Sequence, residues 1–83
     1  MKIRVKYFAA VREAIGQAGE SVETAATDLA GLRSELIGRG GAYAEALAPG
    51  KAVRMALNQV MCDESAAFSD GAEVAFFPPV TGG

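Results

Sequence analysis

This chain is predicted to fold as an α+β domain, a mixed sheet of four to five strands with helices packed on one face. Three observations point there. Hydrophobic residues alternate at period two near both ends, a leucine stripe at helical spacing lies between them, and the elements run strand, helix, strand, helix, strand, strand, strand. A chain of 83 residues suffices for one modest core and is too short for two.

Ile3, Val5 and Tyr7 alternate with Lys2, Arg4 and Lys6, the pattern of a strand with one face on a core. From Phe8 to Ile15 the rhythm changes to helical steps, with Val11, Ala14 and Ile15 on one side, and Gly16 and Gly19 bracket the turn that follows. Glu20-Ser21-Val22-Glu23 fits a brief second strand. Thr27 or Asp28 then offers a capping oxygen to a helix carrying Leu29, Leu32, Leu36 and Ile37. Gly31 inside it costs about 1 kcal/mol relative to alanine, so the leucine stripe has to hold that helix by packing. Gly38, Gly40 and Gly41 stop it, Ala42 to Leu47 adds one more helical turn, and Pro49-Gly50 marks a loop. Val53, Met55 and Leu57 begin a third strand, and Asn58-Gln59 makes a tight connection into Val60-Met61-Cys62. Ser69-Asp70-Gly71 turns the chain into a final strand, Glu73 to Phe77. Pro78 and Pro79 end sheet pairing, so residues 1–77 form the domain and residues 78–83 a flexible C-terminal tail.

Composition narrows the function. Net charge is −2, and the Lys and Arg residues are scattered apart from the Lys2, Arg4, Lys6 trio, which leaves no footprint for nucleic acid. No apolar run approaches the roughly 18–20 residues that cross a bilayer, and the alternating start is unlike a signal peptide; a soluble, cytoplasmic protein with no membrane partner is expected. One cysteine, Cys62, and no histidine exclude a disulfide framework and any recognised zinc spacing, and remove the commonest general acid and base. An enzyme complete in itself is hard to assemble from these parts. Without a histidine nearby to activate it, Cys62 reads as a small packed hydrophobe rather than a persulfide carrier.

The chemistry concentrates in Pro78-Pro79-Val80-Thr81-Gly82-Gly83. The prolines cannot donate ladder hydrogen bonds and favour extended backbone, which directs the tail away from the sheet. Two glycines without side chains allow a partner to enclose the tail in a narrow tunnel. Gly-Gly alone says little, since Gly40-Gly41 repeats it inside the chain; its position gives it meaning. A terminal carboxylate, with a reference pKa of about 3.3–3.7, is ionised and inert at neutral pH until another enzyme activates it, for instance as an acyl-adenylate. An activated acyl group can accept sulfur, and a thiocarboxylate is a soft, competent nucleophile.

The segment Asp70-Gly71-Ala72-Glu73-Val74-Ala75-Phe76-Phe77-Pro78-Pro79-Val80-Thr81-Gly82-Gly83 resembles the C-terminal signature of the MoaD family. The likeness extends over the chain: Tyr7-Phe8-Ala9-Ala10-Val11-Arg12-Glu13 is similar to that family's N-terminal element, Leu32-Arg33 to its helix and Leu57-Asn58-Gln59 to its central strand, while Phe68 stands where an aliphatic residue is common. The resemblance implies a ubiquitin-like β-grasp fold and the role of sulfur carrier in molybdopterin synthesis. It implies that a MoeB-like enzyme adenylates Gly83, that a thiocarboxylate replaces the adenylate, and that no resident cofactor is needed. It further implies a MoaE-like large subunit, in a heterotetramer of two plus two, which takes up the arm Pro78 to Thr81 and, past the narrow Gly82, passes sulfur from Gly83 to cyclic pyranopterin monophosphate. Two rivals share the adenylate: a ubiquitin-like modifier conjugated through Gly83, and a ThiS-like carrier for another sulfur pathway.

Parity adds a docking face. If Ile3, Val5, Tyr7, Val74 and Phe76 face the helices, Phe8 and Phe77 fall on the opposite side, with Met61 beside them. An exposed Phe8, Met61, Phe77 cluster next to the tail is expected to bind a partner. Arg12-Glu13 reads as a solvated pair or a partner contact, and Lys2, Arg4 and Lys6 as a solvated strand face that discourages aggregation.

Overall fold

The computed structural model describes residues 1–79, so the expectations placed on Val80, Thr81, Gly82 and Gly83 lie outside the described residues. The elements are β1 (Lys2–Tyr7), α1 (Ala9–Ile15), β2 (Gly19–Glu23), α2 (Leu29–Ile37), α3 (Gly41–Leu47), β3 (Arg54–Leu57), β4 (Val60–Cys62) and β5 (Glu73–Phe77). They make one five-stranded sheet in the order β2-β1-β5-β3-β4. β1 and β5 run parallel in the middle, and antiparallel pairs flank them. The α+β expectation holds, with five strands and one helix longer than foreseen: α3 covers seven residues, not a single turn. No helix among the described residues is long and apolar enough to cross a membrane.

Alternation along β1 and β5 drives the packing. Ile3, Val5, Tyr7, Val74 and Phe76 are buried against Leu29, Leu32 and Leu36 of α2 and Leu47 of α3. The Tyr7 and Phe76 rings, paired across the parallel ladder, stack with centroids 6.3 Å apart. Phe68 joins this core from a loop, because its N–H donates to the Thr27 carbonyl at 3.2 Å and the adjacent Ala67 bridges to Asp28. The Asp28 carboxylate caps α2 by accepting from the Gly31 N–H at 2.8 Å. A Cβ on Gly31 would stand 3.1 Å from both that oxygen and the Ala26 methyl, so glycine here admits the cap and the preceding loop.

Arg33 is buried on the α2 stripe. Its Nε donates to the Leu47 carbonyl at 2.8 Å, Nη2 to the carbonyls of Ala48 and Lys51 at 2.8 and 3.2 Å, and Nη1 to Glu64 at 2.7 Å. One guanidinium thereby ends α3, closes the Pro49-Gly50 loop and ties both to the segment after β4.

A second polar cluster centres on Glu20 of β2. Its Oε2 accepts from the hydroxyls of Tyr7 and Tyr43, at 2.8 and 2.7 Å, and from Gln17 at 3.1 Å, while Oε1 accepts from Arg39 at 3.0 Å. Burial pushes the Glu20 carboxyl up, but the hydrogen bonds from Tyr43, Tyr7 and Arg39 together outweigh it and hold it below the ordinary carboxylate value. Burial, then the bond to Glu20, pushes both tyrosine hydroxyls up, so they stay protonated as donors. Since Glu20 ionises lower when folded, its stabilisation is complete above the ordinary value of 4.5 and is lost as pH falls through the folded one. Glu20→Gln is expected to cost about 1–3 kcal/mol at neutral pH, with urea midpoints of variant and wild type converging in acid. Parallel pH profiles would assign the acid sensitivity elsewhere.

The β3-β4 hairpin turns on Asn58 and Gln59, both left-handed at φ +50° and +71°, as a type I′ turn requires. Glutamine tolerates that conformation poorly. Gln59→Gly is expected to raise stability by about 1 kcal/mol, read as a higher urea midpoint; a lower midpoint would mean that the glutamine side chain contributes more than its backbone costs.

Candidate functional site

On the side of the sheet away from the helices, cross-strand pairing sets out one row: Met61 opposite Ala56, Ala56 opposite Ala75, Ala75 beside Lys6. The next row pairs Arg54 with Phe77, and Phe8 follows at the end of β1. The two alanines are short and their neighbours long. Lys6, Phe8, Ala56, Gln59, Glu73, Ala75 and Phe77 accordingly line a depression of about 460 Å³, with alanine methyls as floor and the two phenyl rings in its walls. Phe8 is 47% exposed and Met61 61%, while Phe77 is half-buried.

The position of Phe8 is held by backbone. Its N–H donates to the Phe76 carbonyl at 3.1 Å, and Ala9 turns the chain into α1 with φ +52°, which costs an alanine about 1–2 kcal/mol. With Gln59, left-handed non-glycine backbone thus occurs on two sides of the depression, where strain is tolerated because the surroundings impose it. At the rim Lys6 pairs with Glu73 at 3.2 Å. The Asn58 side chain accepts from the Glu73 N–H at 2.9 Å, tying the hairpin turn to the first residue of β5.

β5 then runs from Phe77 in the outer depression to Pro78. That proline lines a different groove, of about 370 Å³, between α1 and α3, with Val11, Ala14, Ala46 and Val53 among its walls. The root of the C-terminal segment therefore sits at the boundary of two hollows, and both Pro78 and Pro79 are half-buried.

Of the residues singled out from sequence, Phe8 and Phe77 share one depression, and Met61 flanks it across Ala56 without lining it. Sequence reasoning overlooked the alanine floor, although Ala56 and Ala75 fall on the outward parity of strands it had identified. Exposed Val60 was also overlooked; its partner Leu57 places it on the helix side of the edge strand β4. Cys62 packs against the core, and burial, then the Asp63 charge, pushes its thiol up, which leaves a poor nucleophile. Among the described residues no group of three or more His, Cys, Asp or Glu could hold a metal ion.

A five-stranded mixed sheet in this order, with all helices on one face, defines a ubiquitin-like β-grasp domain, here with an apolar depression at the root of its C-terminal segment. SAMP1 from Haloferax volcanii has the same fold, with a TM-score of 0.77 at 24% identity and both chains covered in full. A model of the ThiS family matches residues 5–83. The molybdopterin synthase sulfur carrier subunit of Escherichia coli is 40% identical over 81 residues, 98% of this chain and 99% of that protein. The chain belongs to the ThiS family. It is also similar to a chain in the complex of subunits 1 and 2 of the molybdopterin-converting factor from Helicobacter pylori, at TM-score 0.69 and 26% identity, with both chains covered in full.

Proposed function

We propose that this protein is a sulfur carrier for molybdopterin synthesis, working through Gly83. An adenylating enzyme joins the Gly83 carboxylate to ATP as an acyl-adenylate, releasing pyrophosphate, and sulfide-level sulfur (HS⁻) from the donor then displaces AMP at the acyl carbon to leave a thiocarboxylate. A large subunit binds the Phe8, Met61, Phe77 face and receives Pro78, Pro79, Val80, Thr81 and Gly82 as an inserted arm. The thiocarboxylate sulfur then attacks and bonds to the pterin precursor, and water cleaves the acyl–sulfur bond so that Gly83 returns as a carboxylate. The partner's side chains do the acid and base work that a chain without histidine is poorly equipped to do.

The observation that carries this reading is the position of the apolar depression. Phe77 is the last residue of β5, and the arm begins at the next residue, Pro78. A partner gripping the depression has the arm in hand, and four residues beyond Pro79 reach at most about 14 Å. Binding energy gained on a rigid sheet can thus position a reacting group that has no side chain of its own. The likeness over nearly the full length to a protein named as a molybdopterin synthase sulfur carrier supports the choice of pathway.

The test is mass spectrometry of the C-terminal peptide after incubation with ATP, the adenylating enzyme and a sulfur donor. An oxygen-for-sulfur shift on Gly83 is expected, followed by its loss when large subunit and precursor are added. Stable isopeptide conjugates of Gly83 with lysines, and no such shift, would establish a protein modifier instead.

A further inference from the structure

Phe8 and Lys6 line two hollows. Besides the apolar one, they border a depression of about 280 Å³ whose other walls are Arg4, Tyr7, Arg12, Ala18 and Gly19. Three of its seven lining residues are cations. Gly19 lies directly opposite Lys6 in the ladder, and a Cβ there would stand 2.9 Å from the Val5 carbonyl oxygen, so that wall stays open.

No carboxylate lines this hollow; Glu73, opposite Arg4 in the register, is bound to Lys6 at 3.2 Å. Glu13 follows Arg12 in α1 without an ion pair to it. Among the described residues the ion pairs use Lys6, Arg33, Arg39 and the amino terminus; neither Arg4 nor Arg12 has one. Lys2, Lys51 and Arg54 likewise have none among the described residues, but only Arg4 and Arg12 of these five line the hollow beside exposed Phe8. A solvated face that only discourages aggregation has no need to converge on one hollow that shares a wall with an apolar one.

We infer that Arg4, Lys6 and Arg12 form a docking site for an acidic segment of the protein that takes up the tail, so that the partner presents an apolar anchor to the Phe8-Phe77 depression and carboxylates to the basic one. Arginine suits this task, since its planar fork binds a carboxylate through two hydrogen bonds. Nucleic acid fits poorly: the hollow gathers only three cations, one of them already paired with Glu73, on a chain of net charge −2, which gives little of the counterion release that binding needs. The inference rests on the carrier reading and adds to it the chemistry of the surface that must be met. Charges at the rim of an apolar contact act mainly on association rate and on salt dependence, which separates them from the apolar anchor.

The experiment measures Kd and association rate of the full-length protein with its cognate large subunit at low and high salt, for wild type, Arg4→Glu/Arg12→Glu and Arg4→Lys/Arg12→Lys. Both positions are exposed, so thermal melts should agree. The charge-reversed variant is expected to bind at least tenfold more weakly at low salt, with a flatter salt dependence, and the lysine variant to keep most of the affinity. Unchanged affinity, or a loss equal at all salt concentrations, would overturn the inference. So would displacement by inorganic phosphate beyond that by chloride of equal ionic strength, which would assign the hollow to a phosphate group. Absence of any wild-type complex would instead overturn the carrier reading.

Discussion

One alanine appended after Gly83 is expected to slow sulfur loading by at least roughly a hundredfold while leaving the thermal melt unchanged. The carboxylate would move about 3.5 Å along the chain, and a misplacement of about 1 Å at a reacting centre already costs on the order of a hundredfold in rate. A Cβ would also enter a passage proposed to fit glycine. The domain should not notice, because among the described residues Phe76 is the last in the core and Phe77 the last in the ladder. Loading is read by mass spectrometry and folding by circular dichroism. If the extended chain loads at the wild-type rate without being trimmed, the proposed role of Gly83 is wrong.

Arg33→Ala is expected to have the largest effect on stability, a loss of about 3–5 kcal/mol. The substitution removes the donors from three carbonyls and leaves a void where a guanidinium was buried. An unsatisfied buried acceptor costs about 1–3 kcal/mol, and water entering along the loop recovers some of that for Ala48 and Lys51. Glu64 is half exposed and solvates readily once released, so the ion pair itself adds little. Domains of this size are stable by only about 4–12 kcal/mol, and at about 4–8 °C per kcal/mol the melt should fall by roughly 12–40 °C. Arg33→Lys, with a single charged centre, should recover only a fraction. An unfolding free energy from urea titration within about 1 kcal/mol of wild type would show that the carbonyls are satisfied without the guanidinium.

The strands and their inward faces were legible because period two survives in Ile3, Val5, Tyr7 and in Val74, Phe76, where one side of the sheet is covered and the other open. The parity that identified the core also put Phe8 and Phe77 outside. Arg33 could have been found, since it lies four residues after Leu29 and three before Leu36, on the buried stripe, where an arginine needs partners. What those partners are was not legible, because the acceptors are backbone carbonyls 14 to 18 residues away. The Glu20 cluster was equally hidden: Tyr7 and Tyr43 reach it across 13 and 23 residues, with no local pattern to announce the meeting. The left-handed backbone at Ala9 had no residue signal at all, since alanine is not a residue that favours it. Gly31 reads from sequence as a propensity cost that the leucine stripe must offset; the room it leaves for the Asp28 cap was not legible, because that contact depends on the path of the preceding loop.

Placing β5 at the centre of the sheet has a mechanical consequence. A segment drawn through a tunnel and later withdrawn exerts tension on whatever anchors it, and here the anchor is a strand bonded on both sides, to β1 and to β3. A pull along its axis loads the hydrogen bonds of both ladders together in shear, whereas the same pull on the edge strand β4 would be resisted by a single three-residue ladder. On the proposed function, a terminus pulled in each round of transfer would therefore strain the strongest part of the sheet rather than its edge.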